Sequence, residues 1–245
     1  MKSDIRTVIW KEARSLFRQR GSRIRALLTL LTPVAFFAVY GPWSTGPDWA
    51  TDPLSIIAAV ITPMLIVTLI IPDSIAGERE RHTLPTLLAS RLPDRAILFG
   101  KAVFSLLIAW GVTLLTLLLA LVTVNLTHWS GKVLMYAPTV LVAGVSLSFL
   151  TAAMTTGIGV FISLRASTVQ EAQQLLAAFV LGPITLLGPV VLIVSQTTDL
   201  DLIDRITRVD GELLLAAALT ALVIIDGLLA FLAMRRFRRS RLIES

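Results

Sequence analysis

The sequence predicts an all-α, polytopic membrane protein: six transmembrane helices, an amphipathic N-terminal helix, and a short helix in the loop between spans 2 and 3. Three observations predict it. Hydrophobic residues make up 55% of the 245 positions and charged residues only 16%, whereas a globular domain carries roughly 25% charge. The mean hydropathy is +0.80. The charges gather at the ends of apolar segments, which is a membrane pattern.

A bilayer core of about 30 Å needs about 20 apolar residues in helix. In chain order the candidate spans are Ala26 to Tyr40, Leu54 to Ile71, Ile97 to Asn125, Val133 to Leu164, Val169 to Val194 and Leu213 to Met234. The first is short, but Arg23 and Arg25 can snorkel toward headgroups. The fifth is interrupted by Gly182-Pro183 and Gly188-Pro189. Proline removes a backbone donor and clashes with the preceding turn, so this span kinks or splits into a full helix plus a re-entrant piece, and the split is the expectation. The whole chain, 1–245, reads as one transmembrane domain with an outer loop at 195–212.

Orientation follows from lysine and arginine. With an even number of spans both termini share one side, and that side collects 19 of the 22 basic residues. It is the cytoplasm by the positive-inside rule, here of a cell inner (plasma) membrane. Lys132, Arg205 and Arg208 fall opposite, where Tyr40, Trp43, Trp49, Trp129 and Tyr136 form an expected aromatic belt. The net charge of +6 therefore reads as topology determinants with affinity for membrane lipid, not as a nucleic-acid patch. No cleavable signal is evident before the first apolar run. Without cysteine the chain has neither disulfides nor a thiolate metal site.

Ser3 to Arg20 reads as an amphipathic helix stopped by Gly21 within the cytoplasmic segment 1–21. Ile5, Val8, Ile9, Ala13, Leu16 and Phe17 share one face, which suits a membrane surface. Glu12 projects among them, and the positions three and four away (Val8, Ile9, Ser15, Leu16) offer no cation. It is expected either to reach water at the edge of the face or to meet a partner protein.

The segment 73–101 reads DSIAGERERHTLPTLLASRLPDRAILFGK. Glu78, Arg79, Glu80 and Arg81 alternate in sign. Leu84, Leu87 and Leu88 then make a small apolar face on a helix of about two turns that Pro85 can start. So short a helix needs something to bury against, whether headgroups, the chain's own helix ends or a partner. Pro93 can open the next helix, a lever of about 50 Å reaching Asn125. The loop Arg165 to Thr168 carries capping-box pairs, Ser167 with Gln170 or Thr168 with Glu171. Asp226 lies about 12 Å from the basic end of its span, where a carboxylate serves structure or transport.

These residues resemble a known family. Glu78-Arg79-Glu80, Thr83-Leu84, Leu87-Leu88 and Ile97-Leu98-Phe99-Gly100-Lys101 are similar to the E-R/K-E-x-G-T-L-E-x-L-L and I-L-x-G-K patterns of type-2 ATP-binding-cassette permeases. Lys11-Glu12 before an Arg-rich stretch looks like that family's interface helix. His82 stands where the family usually has glycine, and Pro85 where it usually has glutamate. The resemblance implies that 73–101 contains a coupling helix docking into a groove of a separate ATPase. The implied contacts are Glu12, Glu78, Arg79, Glu80, Arg81, Thr83, Leu84, Leu87, Leu88 and Arg165. It also implies two ATPases and a second permease copy or homologue, with ATP and Mg in the ATPase and no cofactor on this chain. Gly100-Lys101 lacks the glycine-rich loop and Ser/Thr of a P-loop. Export is expected by analogy.

Three other classes compete with this reading. An intramembrane enzyme would need a constellation such as H-E-x-x-H or G-x-S-x-G, which is missing. A secondary transporter should show matched broken helices, yet only the fifth span is broken. A non-transporting anchor or sensor would recruit an ATPase without substrate-stimulated hydrolysis.

Overall fold

The computed structural model describes residues 2–18, 31–82, 93–197 and 211–236. Among these there is helix and no strand. Helix α1 is Lys2–Arg18. A short helix α2 at 31–35 passes through a π-helical stretch, Phe36–Tyr40, into α3, Gly41–Thr45, and a 3-10 turn, Gly46–Ala50. Then come α4 (Pro53–Glu80), α5 (Asp94–Thr127), α6 (Pro138–Ser163), α7 (Val169–Thr197) and α8 (Gly211–Arg236).

Among the described residues four helices are long and apolar enough to cross a membrane: Pro53–Glu80, Ala96–Thr127, Pro138–Ser163 and Leu215–Leu232. The chain is a multi-pass membrane protein. Large apolar side chains such as Leu118, Leu126, Val223 and Leu228 stand on its outside, more than half exposed, as lipid-facing positions do. Six buried threonines satisfy their hydroxyls within their own helices, whereas buried Thr156 finds no partner among the described residues. Thr62, Thr68, Thr113, Thr116, Thr151 and Thr155 each donate to the carbonyl four residues back at 2.7–2.8 Å.

Helix α4 is the hub, packing most extensively on α6 and also on α5 and α7, while α8 leans on α6. The small residues of α6 make this closeness possible. A Cβ on Gly159 would lie 2.8 Å from Ile71 of α4, and one on Gly157 would lie 3.2 Å from Leu229 of α8. Ser148, Ala152 and Thr155 are fully buried too, so this stripe serves contacts within the chain.

Several boundaries differ from expectation for physical reasons. Helix α4 does not stop at Ile71 but runs through Pro72 to Glu80, so the charged run begins as helix. Helix α6 begins at Pro138 rather than Val133 because proline at the first helical position leaves no donor to satisfy. Residues before it are held by the Asn125 side chain, which bonds both the N–H and the carbonyl of Leu134. The expected split of the fifth span is absent: α7 is one helix through Gly182-Pro183 and Gly188-Pro189. A break in hydrocarbon would strand more backbone groups than the single N–H each proline removes. Trp49 is not part of an aromatic belt, being 1% exposed and donating to the Tyr136 hydroxyl at 3.3 Å; Tyr40, Trp43 and Trp129 are exposed.

Candidate functional site at the basic end of the bundle

Helix α1 lays its apolar face on the chain's own helices rather than on lipid. Ile9 and Ala13 pack against a core that includes Ile71, Ile75, Leu98 and Phe104. Val8 sits directly on Gly100, where an added Cβ would come within 2.6 Å of the valine. Only glycine on α5 allows the two helices to approach this far.

One residue later, Lys101 reaches into the same seam. Its Nζ lies 2.7 Å from Glu12 Oε1 and 3.4 Å from Glu78 Oε1, and it donates to the Ser74 carbonyl. Lys11 Nζ meets Glu78 Oε1 at 2.8 Å. The Lys101 and Glu12 side chains are 5% and 7% exposed. Stripping the water from either charge costs several kcal/mol, so each is tolerable there only because its counter-charge is in contact. Glu12 therefore neither reaches water at the edge of its face nor waits unpaired for another protein. Its cation comes from 89 residues away.

Segment 83–92, which joins α4 to α5 in sequence, lies outside the described residues. Glu78 stands at the end of α4 just before it, and Lys101 near the start of α5 just after it. Both are tied to α1.

The rest of the alternating run is occupied inside the chain as well. Arg79 donates through Nη1 to the Ala166 carbonyl and through Nη2 to the Leu164 carbonyl, both at 2.9 Å. Glu80 Oε2 accepts from the Val169 N–H, the first of α7, at 3.0 Å. Arg81 folds back over Gly77 to Asp73 at 3.1 Å, an exposed pair of small energetic weight. His82 closes α4 in a left-handed conformation, φ 55°, with its N–H on the Arg79 carbonyl at 3.0 Å, one of the two Schellman bonds.

Thr83, Leu84, Leu87 and Leu88 lie outside the described residues. Arg165 is exposed, with no side-chain partner among the described residues. Of the two capping pairs, Thr168 with Glu171 forms: Thr168 Oγ1 accepts the Glu171 N–H at 3.2 Å. The Glu171 carboxylate accepts both the N–H and the hydroxyl of Ser167, at 2.8 and 2.7 Å. Asp226 sits apart from this junction on α8, its carboxyl oxygens shielded and without a hydrogen-bond partner among the described residues. Two residues of the network were missed in the sequence: Lys101, named there only as the end of a motif, and Lys11, named only as the neighbour of Glu12. The signal that could have found Lys101 was the buried position of Glu12 without any local cation.

Residues 3–199 of the chain match the family described as ABC-2 type transporter, a stretch that takes in α1 and every residue of the junction. No curated protein matches the chain.

Proposed function

Because the chain belongs to the ABC-2 type transporter family and is thereby the transmembrane subunit of an ABC transporter, we propose that its charged junction is the seat on which a separate ATPase acts. The basic end faces the cytoplasm of the inner membrane, with both termini there. Segment 83–92 docks in a groove of the ATPase through Leu84, Leu87 and Leu88, and the ATPase holds ATP and Mg. Two permeases, identical or homologous, and two ATPases make the working exporter.

The observation that carries this reading is the Glu12–Lys101–Glu78–Lys11 network, buried at all but its Lys11 end. A short segment transmits force only if its ends are anchored. Here the end of α4 and the start of α5 are clamped to each other and to α1 by charges that are costly to separate. Asp94–Thr127 then spans 34 residues, a rigid lever of about 51 Å.

The test is Leu87→Asp, which places a charge in the buried contact and removes apolar area worth about 1.5–3 kcal/mol. The variant should insert normally while losing ATPase co-purification, or hydrolysing ATP without transport. Normal binding and transport by Leu87→Asp would overturn the docking assignment.

A further inference from the structure

We propose that Arg79 and Glu80 are positioning residues of an internal joint that makes the end of α4 and the 164–168 loop one mechanical body, so that a push on the α4 terminus reaches α7 as well. The inference rests on the ATPase-driven reading above, but it assigns these two side chains to the chain's interior rather than to the ATPase surface.

Three independent features build the joint. First, two successive residues grip opposite sides of one turn: Arg79 holds the last carbonyls after α6 and Glu80 holds the first N–H of α7. The signs match the helix ends, a cation on the negative C-terminus and an anion on the positive N-terminus. Second, the loop sits directly on α4. Ala166 is 1% exposed and packs with Ala76 of α4 and Ala172 of α7, both fully buried, and larger side chains at these positions would hold the two elements apart. Third, the loop is internally braced by the Ser167–Glu171 and Thr168–Glu171 bonds, so it moves as a block rather than bending. A displaced α4 terminus therefore carries the start of α7 with it.

The experiment uses the permease with its co-purifying ATPase, adding ATP and vanadate and reading amide hydrogen exchange across 181–197 of α7. In the natural protein ATP should change this exchange. In Arg79→Gln/Glu80→Gln the change should fall about fivefold or more, the lower range of a typical coupling, while the ATPase stays bound. The chain has no cysteine. A reversible bifunctional thiosulfonate bridging the thiols of Arg79→Gln/Glu80→Cys/Val169→Cys should thus restore the response, and reductant should remove it again. A full response from the double variant, or a bridged protein that stays unresponsive, overturns the joint. No response in the natural protein despite a bound ATPase overturns the underlying reading and the joint with it.

Discussion

Lys101 of α5 holds the Glu12 carboxylate of α1 at 2.7 Å, with both side chains nearly stripped of water. Removing one partner takes the nearest counter-charge from the other, so Glu12→Gln or Lys101→Met should each destabilise the protein, by up to about 3–5 kcal/mol. Glu12→Gln/Lys101→Met should recover much of that, since Glu78 retains Lys11. Denaturant titration in detergent measures all three. Strictly additive losses in the double variant would contradict a direct pairing.

Gly100 is where α1 and α5 touch most closely. Gly100→Ala places a methyl 2.6 Å from both Cβ and Cγ1 of Val8, so the helices must part. Overpacking of this kind costs about 1–3 kcal/mol. Val8→Ala should fail to relieve it, because the valine Cβ is itself in the way, whereas Val8→Gly should relieve it in part. Protease access to α1 reads the separation, and a rescue by Val8→Ala would mean the contact is looser than 2.6 Å implies.

What was legible in the sequence was whatever depends on local pattern. Apolar length placed α4, α5, α6 and α8, and Pro93 placed the start of α5, because hydrocarbon thickness and proline geometry act within a single segment. Partners far apart in sequence were not legible. Nothing near Glu12 announces Lys101, and nothing about Arg79 announces the Leu164 and Ala166 carbonyls, since a surface ion-pair pattern and a buried one look alike in one dimension. The ends of spans failed for another reason. Apolarity ends where water begins, but α4 continues as helix to Glu80 because Glu78, Arg79 and Glu80 each find tertiary partners there.

His82 takes φ 55°, a conformation in which a β-carbon is crowded. The family's usual glycine at this position is thus explained by the backbone, which glycine adopts freely. His82→Gly should stabilise the α4 terminus by up to about 1 kcal/mol, and His82→Val should destabilise it by about 1–2 kcal/mol. Thermal unfolding of the two variants should bracket the natural protein. A loss on His82→Gly would show that the imidazole makes a contact worth more than the strain.

Sidedness is checked by single thiols. Ser90→Cys, in the segment between α4 and α5, should react with an impermeant maleimide only from the cytoplasm. Ser130→Cys, in the exposed loop between α5 and α6, should react only from outside. The converse at either position would invert or break the proposed six-span topology.

Asp226 offers the opposite kind of test, one in which a substitution should strengthen the fold. Its two carboxyl oxygens are shielded and find no hydrogen-bond partner among the described residues, on a helix whose neighbours Ile224, Ile225 and Leu228 are outward and apolar. An acidic residue deep in a span costs about 2.5–3.5 kcal/mol on insertion scales, so a leucine there should be better tolerated by the membrane-inserted helix. Asp226→Leu should therefore raise thermal stability, by about 1 kcal/mol or more once local relaxation is allowed for. If Asp226 takes part in transport, the same variant should lower ATP-driven transport, with Asp226→Asn falling between. Stability and transport must be measured on one preparation, because the two readouts are expected to move in opposite directions. A destabilised Asp226→Leu would reveal a structural partner for the carboxyl group. A stabilised variant with full transport would remove Asp226 from the mechanism.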